Sequence, residues 1–193
     1  MTGQAGRAGQ SRWIEPLPPE LVHEPLNWLF ADHYRHRQLC RLLERVGNAT
    51  VLLRDEAREI VDFLRHDMPL HIIDEEDDLF PLLRRRCQPA DELGALLGAL
   101  SAEHRDDLEQ ARALASGLER ALTDGQAPGR DRDTRRLFTE FALHDRRHIA
   151  LENAVVLPIA RLRLTAADLR SLSVRLAARR GILLDPPGDE AAS

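Results

Sequence analysis

Histidine and glutamate stand where leucine is expected on four long amphipathic segments of this chain. Leu93, Leu97, Leu100, His104, Leu108, Ala111, Ala115, Leu118 and Leu122 follow one another by three or four positions, the period of one helix face. His104 falls in the middle of that stripe. A second stripe reads Leu137, Phe141, His144, His148, Glu152, Val155, Ile159 and Leu162. A third runs Ile60, Leu64, His71, Glu75, Leu79 and Leu82, and a fourth Leu29, His33, His36, Cys40 and Leu43. A chain that carries imidazoles and carboxylates inside apolar stripes must satisfy them, because an unpaired charge in a dry core is strongly destabilising.

The stripes predict four long helices. The first covers roughly residues 25–46, with Gly47-Asn48 as its C-terminal stop. The second covers 55–86, the third 89–122 and the fourth 131–164, with a Gly- and Pro-containing loop over 123–129. Thr165 is expected to cap a shorter fifth helix ending at Gly181, with Asp168 completing a variant capping box. The fold expected is all-α: an antiparallel up-down four-helix bundle with an additional C-terminal helix. Composition agrees, since 43% of residues are hydrophobic but only 4% aromatic, a Leu- and Ala-rich core suited to helices. Residues 1–20 are expected to be a disordered or extended lead-in, 21–184 the bundle, and 185–193 a disordered tail.

Several classes of function are disfavoured. With 27 basic against 32 acidic residues the net charge is −5, which argues against a dedicated nucleic-acid binder. No apolar run approaches membrane-spanning length, and the N-terminus lacks the hydrophobic stretch of a signal peptide. Two cysteines, Cys40 and Cys87, make no disulfide framework, so a cytoplasmic location is expected.

The polar interruptions are predicted to meet. His104 lies about as far from the 87–89 turn as the His71/Glu75 pair, roughly 20 Å on either side. His104 and the His148/Glu152 pair are likewise each roughly 30 Å from the 123–129 loop. His33 fits less well, and its offset is left to the first loop to absorb. The chain also repeats itself. In both His71…Glu75…Pro81 and His148…Glu152…Pro158, Glu is four and Pro ten residues after His. A spacing of four puts imidazole and carboxylate on one helix face, so each helix offers both to one centre. Imidazole with carboxylate suits iron, manganese or zinc, and two histidines per ion with two shared carboxylates is a dinuclear inventory.

The segments Asp32-His33-Tyr34-Arg35-His36-Arg37, His71 to Pro81, Glu103-His104 and His148 to Pro158 resemble the hemerythrin-like family, in particular its HHE cation-binding branch. The resemblance covers about residues 25–164. It implies a four-helix bundle with a non-haem centre of two iron ions, in which His33, His71, His104 and His148 are terminal ligands and Glu75 and Glu152 bridge. It also implies a small partner, dioxygen, nitric oxide or peroxide, bound or sensed. The alternatives in similar bacterial proteins are an enzyme reducing peroxide or nitric oxide, and iron donation or repair. Animal hemerythrins have a His-x3-His pair on the third helix and a bridging Asp on the fourth; this chain offers only His104 and Glu152 there. Iron-repair members carry a further histidine at the end of the first helix, where this chain has Val46-Gly47-Asn48, and an N-terminal cysteine-bearing domain. Both departures count against repair.

Other residues have two readings each. His144 is either an extra ligand, a donor to Glu152 or a bound ligand, or a satisfied core histidine. His36 is either a partner of a ligand or a partly solvated helix-face residue beside Arg35 and Arg37. His66 is expected on the surface and Tyr34 away from the centre; the acidic run 76–78 either attracts cations or lies on a solvated face, and Cys40 is either a redox reporter or core filler. Apart from His144 no general acid is evident, which ranks binding or sensing ahead of catalysis.

Overall fold

A computed structural model describes residues 13–184, and the expected lead-in before Trp13 and tail from Asp185 lie outside the described residues. Among the described residues the chain is all helical, with no strand: a bundle of four long helices and an extra C-terminal helix. Helix α1 is Pro25–Asn48, preceded by a 3-10 turn Pro19–His23. Helix α2 runs unbroken over 54–86, α3 is Leu93–Asp124, α4 covers 132–163 and α5 is Ala166–Arg179. The caps follow from the residues that make them. The Asp131 side chain accepts from the Thr134 N–H at 2.8 Å to start α4. At α5 the Thr165 hydroxyl accepts from the Asp168 N–H while Asp168 accepts from the Thr165 N–H, the capping box expected there.

Gly47 does not stop α1 as expected. The helix continues through it to Asn48, and positive φ among the described glycines occurs only at Gly125 and Gly181. The backbone there instead takes part in a close approach that Gly129 permits. A Cβ on Gly129, in the turn before α4, would fall 2.2 Å from the Gly47 carbonyl oxygen. Gly129 lets the two backbones touch where any side chain on it would prevent it, whereas a Cβ on Gly47 would meet the Phe138 ring at 3.2 Å.

The α2 and α4 helices are not uniformly α. Helix α2 widens to π turns at Phe63–Asp67 and Asp74–Leu79, and α4 widens at Glu152–Val156. At each, the residue after the π turn donates its N–H five residues back: Met68 to Phe63, Phe80 to Glu75, Leu157 to Glu152. The next residue is proline in every case, Pro69, Pro81 or Pro158. Proline has no N–H and its ring crowds the carbonyl four residues earlier. The turn ahead of it widens, and the helix continues without breaking. The altered winding also shifts the α4 stripe. Beyond Glu152 the fully buried positions are Val156 and Ala160, while Leu162, expected inward, is 71% exposed. At the other end of α4 Phe138, not Leu137, faces the core.

Two apolar clusters fill the bundle. One contains Leu29, Leu79, Phe80, Leu83, Leu97, Leu100, Val156 and Leu157 together with Leu172 and Leu176 of α5. The other contains Leu39, Leu43, Ile60, Phe63, Leu64, Met68, Ala115, Leu118, Phe138 and Phe141. On every long helix the sequence passes from one cluster to the other through the interrupting histidines, so a polar layer is held between two dry ones. No described helix is long and apolar enough to cross a membrane.

Candidate metal centre

The six residues singled out by the stripes converge in that layer. His33, His71, Glu75 and Glu152 form one group whose ligand atoms all lie within 4.8 Å of one another, and Glu75, His104, His148 and Glu152 form a second. Both glutamates belong to both groups, and all six residues are buried. Each long helix therefore contributes: α1 gives His33, α2 His71 and Glu75, α3 His104, and α4 His148 and Glu152.

The imidazoles point the same way. His33 Nε2 lies 3.4 Å from Glu75 Oε1 and 3.4 Å from Glu152 Oε2. His71 Nε2 is 3.5 Å and His104 Nε2 3.2 Å from Glu75 Oε2, while His148 Nε2 is 3.3 Å from Glu152 Oε1. The outward nitrogens meet acceptors: Asn153 Oδ1 at 2.8 Å from His33 Nδ1, Glu76 Oε1 at 2.7 Å from His104 Nδ1, and Glu103 Oε2 at 2.8 Å from His148 Nδ1. Asp32 Oδ2 stands 3.3 Å from His71 Nδ1. At His33, His104 and His148 an acceptor at Nδ1 holds a proton there, so that Nε2 is the nitrogen available to a cation; His71 Nδ1 makes no such hydrogen bond.

These four acceptors form a ring around the bundle. Each sits next to a candidate ligand in sequence and serves the histidine of another helix. Asp32 of α1 faces His71 of α2, Glu76 of α2 faces His104 of α3, Glu103 of α3 faces His148 of α4, and Asn153 of α4 returns to His33 of α1. The sequence alone singles out none of them as the partner of a histidine, and one reading puts the run 76–78 on a solvated face. Of that run Asp77 is exposed, Glu76 is half-buried and Asp78 is buried. Asp74, Glu75 and Asp78 are buried, and Asp74 and Asp78 are paired by α5 through Arg175, Arg179 and Arg180 at 2.5–2.7 Å. The only available signal for the ring was adjacency to a ligand.

The buried charges constrain one another. Burial alone would raise Glu75, but His71, His104 and His33 outweigh it and hold the carboxyl well below the ordinary range. Burial would lower His71 and His148, yet Glu75 and Asp32 push His71 up to about 10, and Glu152 and Glu103 push His148 up to about 10. His104 is raised as well, because Glu75 and Glu152 overcome its burial. Even so, Glu75 Oε2 and both carboxylate oxygens of Glu152 accept no hydrogen bond. Buried carboxylate oxygens without donors, gathered with imidazole nitrogens, are the donor set of a cation site.

The remaining histidines separate. His144 stays outside both groups, its ring centroid 6.5 Å from that of His148 and its Nδ1 2.9 Å from Asp107 Oδ1, with 30% of its side chain exposed. His36 is not partly solvated as one reading held: its side chain is only 2% exposed. Its Nδ1 pairs with Asp145 Oδ1 at 2.9 Å, and its ring stands 4.5 Å from that of His71. The Cys40 thiol donates to the other Asp145 oxygen at 3.2 Å. His66 and Tyr34 are exposed.

Comparison with known proteins agrees with this geometry. The chain is 28% identical over 176 residues to an uncharacterized protein of Haemophilus influenzae, covering 88% of this chain and 97% of that one. No solved structure matches it. The family model described as the hemerythrin HHE cation binding domain matches residues 24–160, the span that carries all six converging residues. The chain belongs to the hemerythrin HHE cation-binding family.

Proposed function

We propose that this protein holds two iron ions, one on His33 and His71 and the other on His104 and His148, bridged by Glu75 and Glu152. We further propose that it binds or senses dioxygen, nitric oxide or peroxide. The observation that carries this reading is the sharing of both glutamates between two four-residue groups. When bound, the iron pair supplies the electrons and the open coordination positions that a small ligand needs. Two nitrogens and two bridging oxygens leave each ion below the six donors of an octahedral shell.

The chain's own residues decide what reaches that centre. Apolar side chains close the layer from both ends, and the Phe80 ring stacks on His104 with centroids 5.7 Å apart. Such walls favour small neutral molecules over organic metabolites. His144, the one general acid evident in the sequence, is turned toward Asp107 and Glu103. Binding or sensing therefore ranks ahead of reduction. A cytoplasmic setting fits two free thiols, Cys40 and Cys87.

Exposure of the reduced, iron-loaded protein to dioxygen or nitric oxide tests the reading. An altered optical spectrum with either gas is expected. No response to both gases or to peroxide would overturn it.

A further inference from the structure

We infer that Asn153 makes the two metal positions unequal, so that the His104/His148 position binds its ion more tightly and fills first. The inference rests on the two-ion reading above and concerns which position is favoured.

The internal repeat pairs His33 with His104, His71 with His148, and Glu75 with Glu152. It pairs the ring of acceptors too. Asp32 and Glu103 each precede a histidine, and Glu76 and Asn153 each follow a glutamate. Three of the four positions hold a carboxylate, and Asn153 alone is neutral. The two halves therefore differ in charge at one step of the ring, the contact to His33.

The neighbours enlarge that difference. At the His104/His148 position both outward nitrogens meet carboxylates closely, Glu76 at 2.7 Å and Glu103 at 2.8 Å. Glu76 accepts one further bond, from the Ser101 hydroxyl at 2.9 Å, which carries no charge. Arg147 reaches Glu103 at 3.0 Å but is 71% exposed, so solvent weakens its effect. At the His33/His71 position one partner is an amide. The other, Asp32, stands off at 3.3 Å and is tied to Arg35 at 2.8 Å. Arg35 is only 11% exposed and is shared with Asp67 at 2.7 Å, so it offsets part of the Asp32 charge at close range.

A carboxylate at Nδ1 strengthens the imidazole as a donor and adds negative charge beside the cation. An amide orients the ring equally well but does neither. Loss of such a partner typically costs about 10- to 100-fold in metal affinity, and the same range is expected between the two positions here.

The test uses the full chain, stripped of metal and titrated anaerobically with Co(II), followed by its absorption. Wild type should show two binding steps at least about tenfold apart. His33→Ala should leave the tighter step, and His104→Ala the weaker. Asn153→Asp is nearly isosteric and keeps an acceptor for His33; it should tighten the weaker step by about tenfold and draw the two together. Glu76→Gln should weaken the tighter step by a similar factor. Two ions that load without order, a tighter step lost in His33→Ala, or an Asn153→Asp titration identical to wild type would overturn the inference while leaving two ions in place. Fewer than two ions in wild type would overturn the two-ion reading itself, and this inference with it.

Discussion

The Nε2 atoms of His104 and His148 stand 2.9 Å apart, while the Nδ1 atom of each ring is engaged by a carboxylate. If both rings keep their protons on Nδ1, two lone pairs face each other inside a buried layer. That arrangement is repulsive unless a proton or a cation lies between them. In the metal-free protein the carboxylates around them, Glu75 and Glu152 at His104 and Glu152 and Glu103 at His148, raise both imidazoles and so favour bound protons. A bound cation replaces them, so metal uptake near neutral pH should release protons.

Glu75→Ala and Glu152→Ala should each lose most bound metal, because each carboxylate belongs to both groups. His66→Ala should lose none, since His66 is exposed and, among the described residues, its only ion-pair contact is Asp62 at 3.8 Å. Elemental analysis of the purified variants checks this, and full metal retention in either glutamate variant counts against the assignment. Both variants should stay helical, because the two apolar clusters are untouched.

The metal-free protein should be most stable between about pH 4.5 and 6.5. His71 and His148 rise from 6.5 to about 10 on folding, so their contribution is whole below pH 6.5 and fades as the pH climbs toward 10. Glu75 is held below its ordinary 4.5, so its contribution is present above that pH and lost as the pH falls further. Urea midpoints measured across this range check the shape; a maximum above about pH 8 contradicts it.

Removing both Arg179 and Arg180 should destabilise the bundle by about 3 kcal/mol or more. Asp74 is fully buried and pairs with both at 2.6–2.7 Å, so its charge would be left without either cation. Arg170→Ala, at an exposed position of α5, should change stability by less than about 0.5 kcal/mol. Denaturant unfolding of the metal-free variants distinguishes the two.

Cys87 should react with a thiol reagent well before Cys40. Burial, then the neighbouring Asp145 carboxylate, pushes the Cys40 thiol far above its ordinary range, and the side chain is inaccessible. Cys87 is only half-buried. Labelling of folded protein followed by peptide mapping should find Cys87 modified and Cys40 spared until unfolding.

The metal-site candidates were legible because helical periodicity exposes a wrong residue type. His33, His71, Glu75, His104, His148 and Glu152 each occupy a position where the stripe calls for leucine, and nothing but convergence accounts for six such positions. The fifth helix was legible at its ends, since Thr165 and Asp168 make a local cap that depends on no distant contact. The π turns were not, although Pro81 and Pro158 were noticed: a uniform 3.6-residue period was applied through them, which misplaced Leu162. The acceptor ring was hidden for a different reason. Asp32, Glu76, Glu103 and Asn153 lie beside the inward stripes and face histidines across helix seams, where surface and interior cannot be told apart by spacing. His36 looked solvated beside two arginines, and only tertiary packing sets Asp145 against it.

The central claim is a centre of two ions sharing Glu75 and Glu152. Iron content per chain, together with the Mössbauer spectrum of the oxidised protein, tests it most directly. Two irons per chain, magnetically coupled through the shared carboxylates, is the expected result. A single iron per chain with a filled coordination shell, or two irons with no coupling, would contradict it.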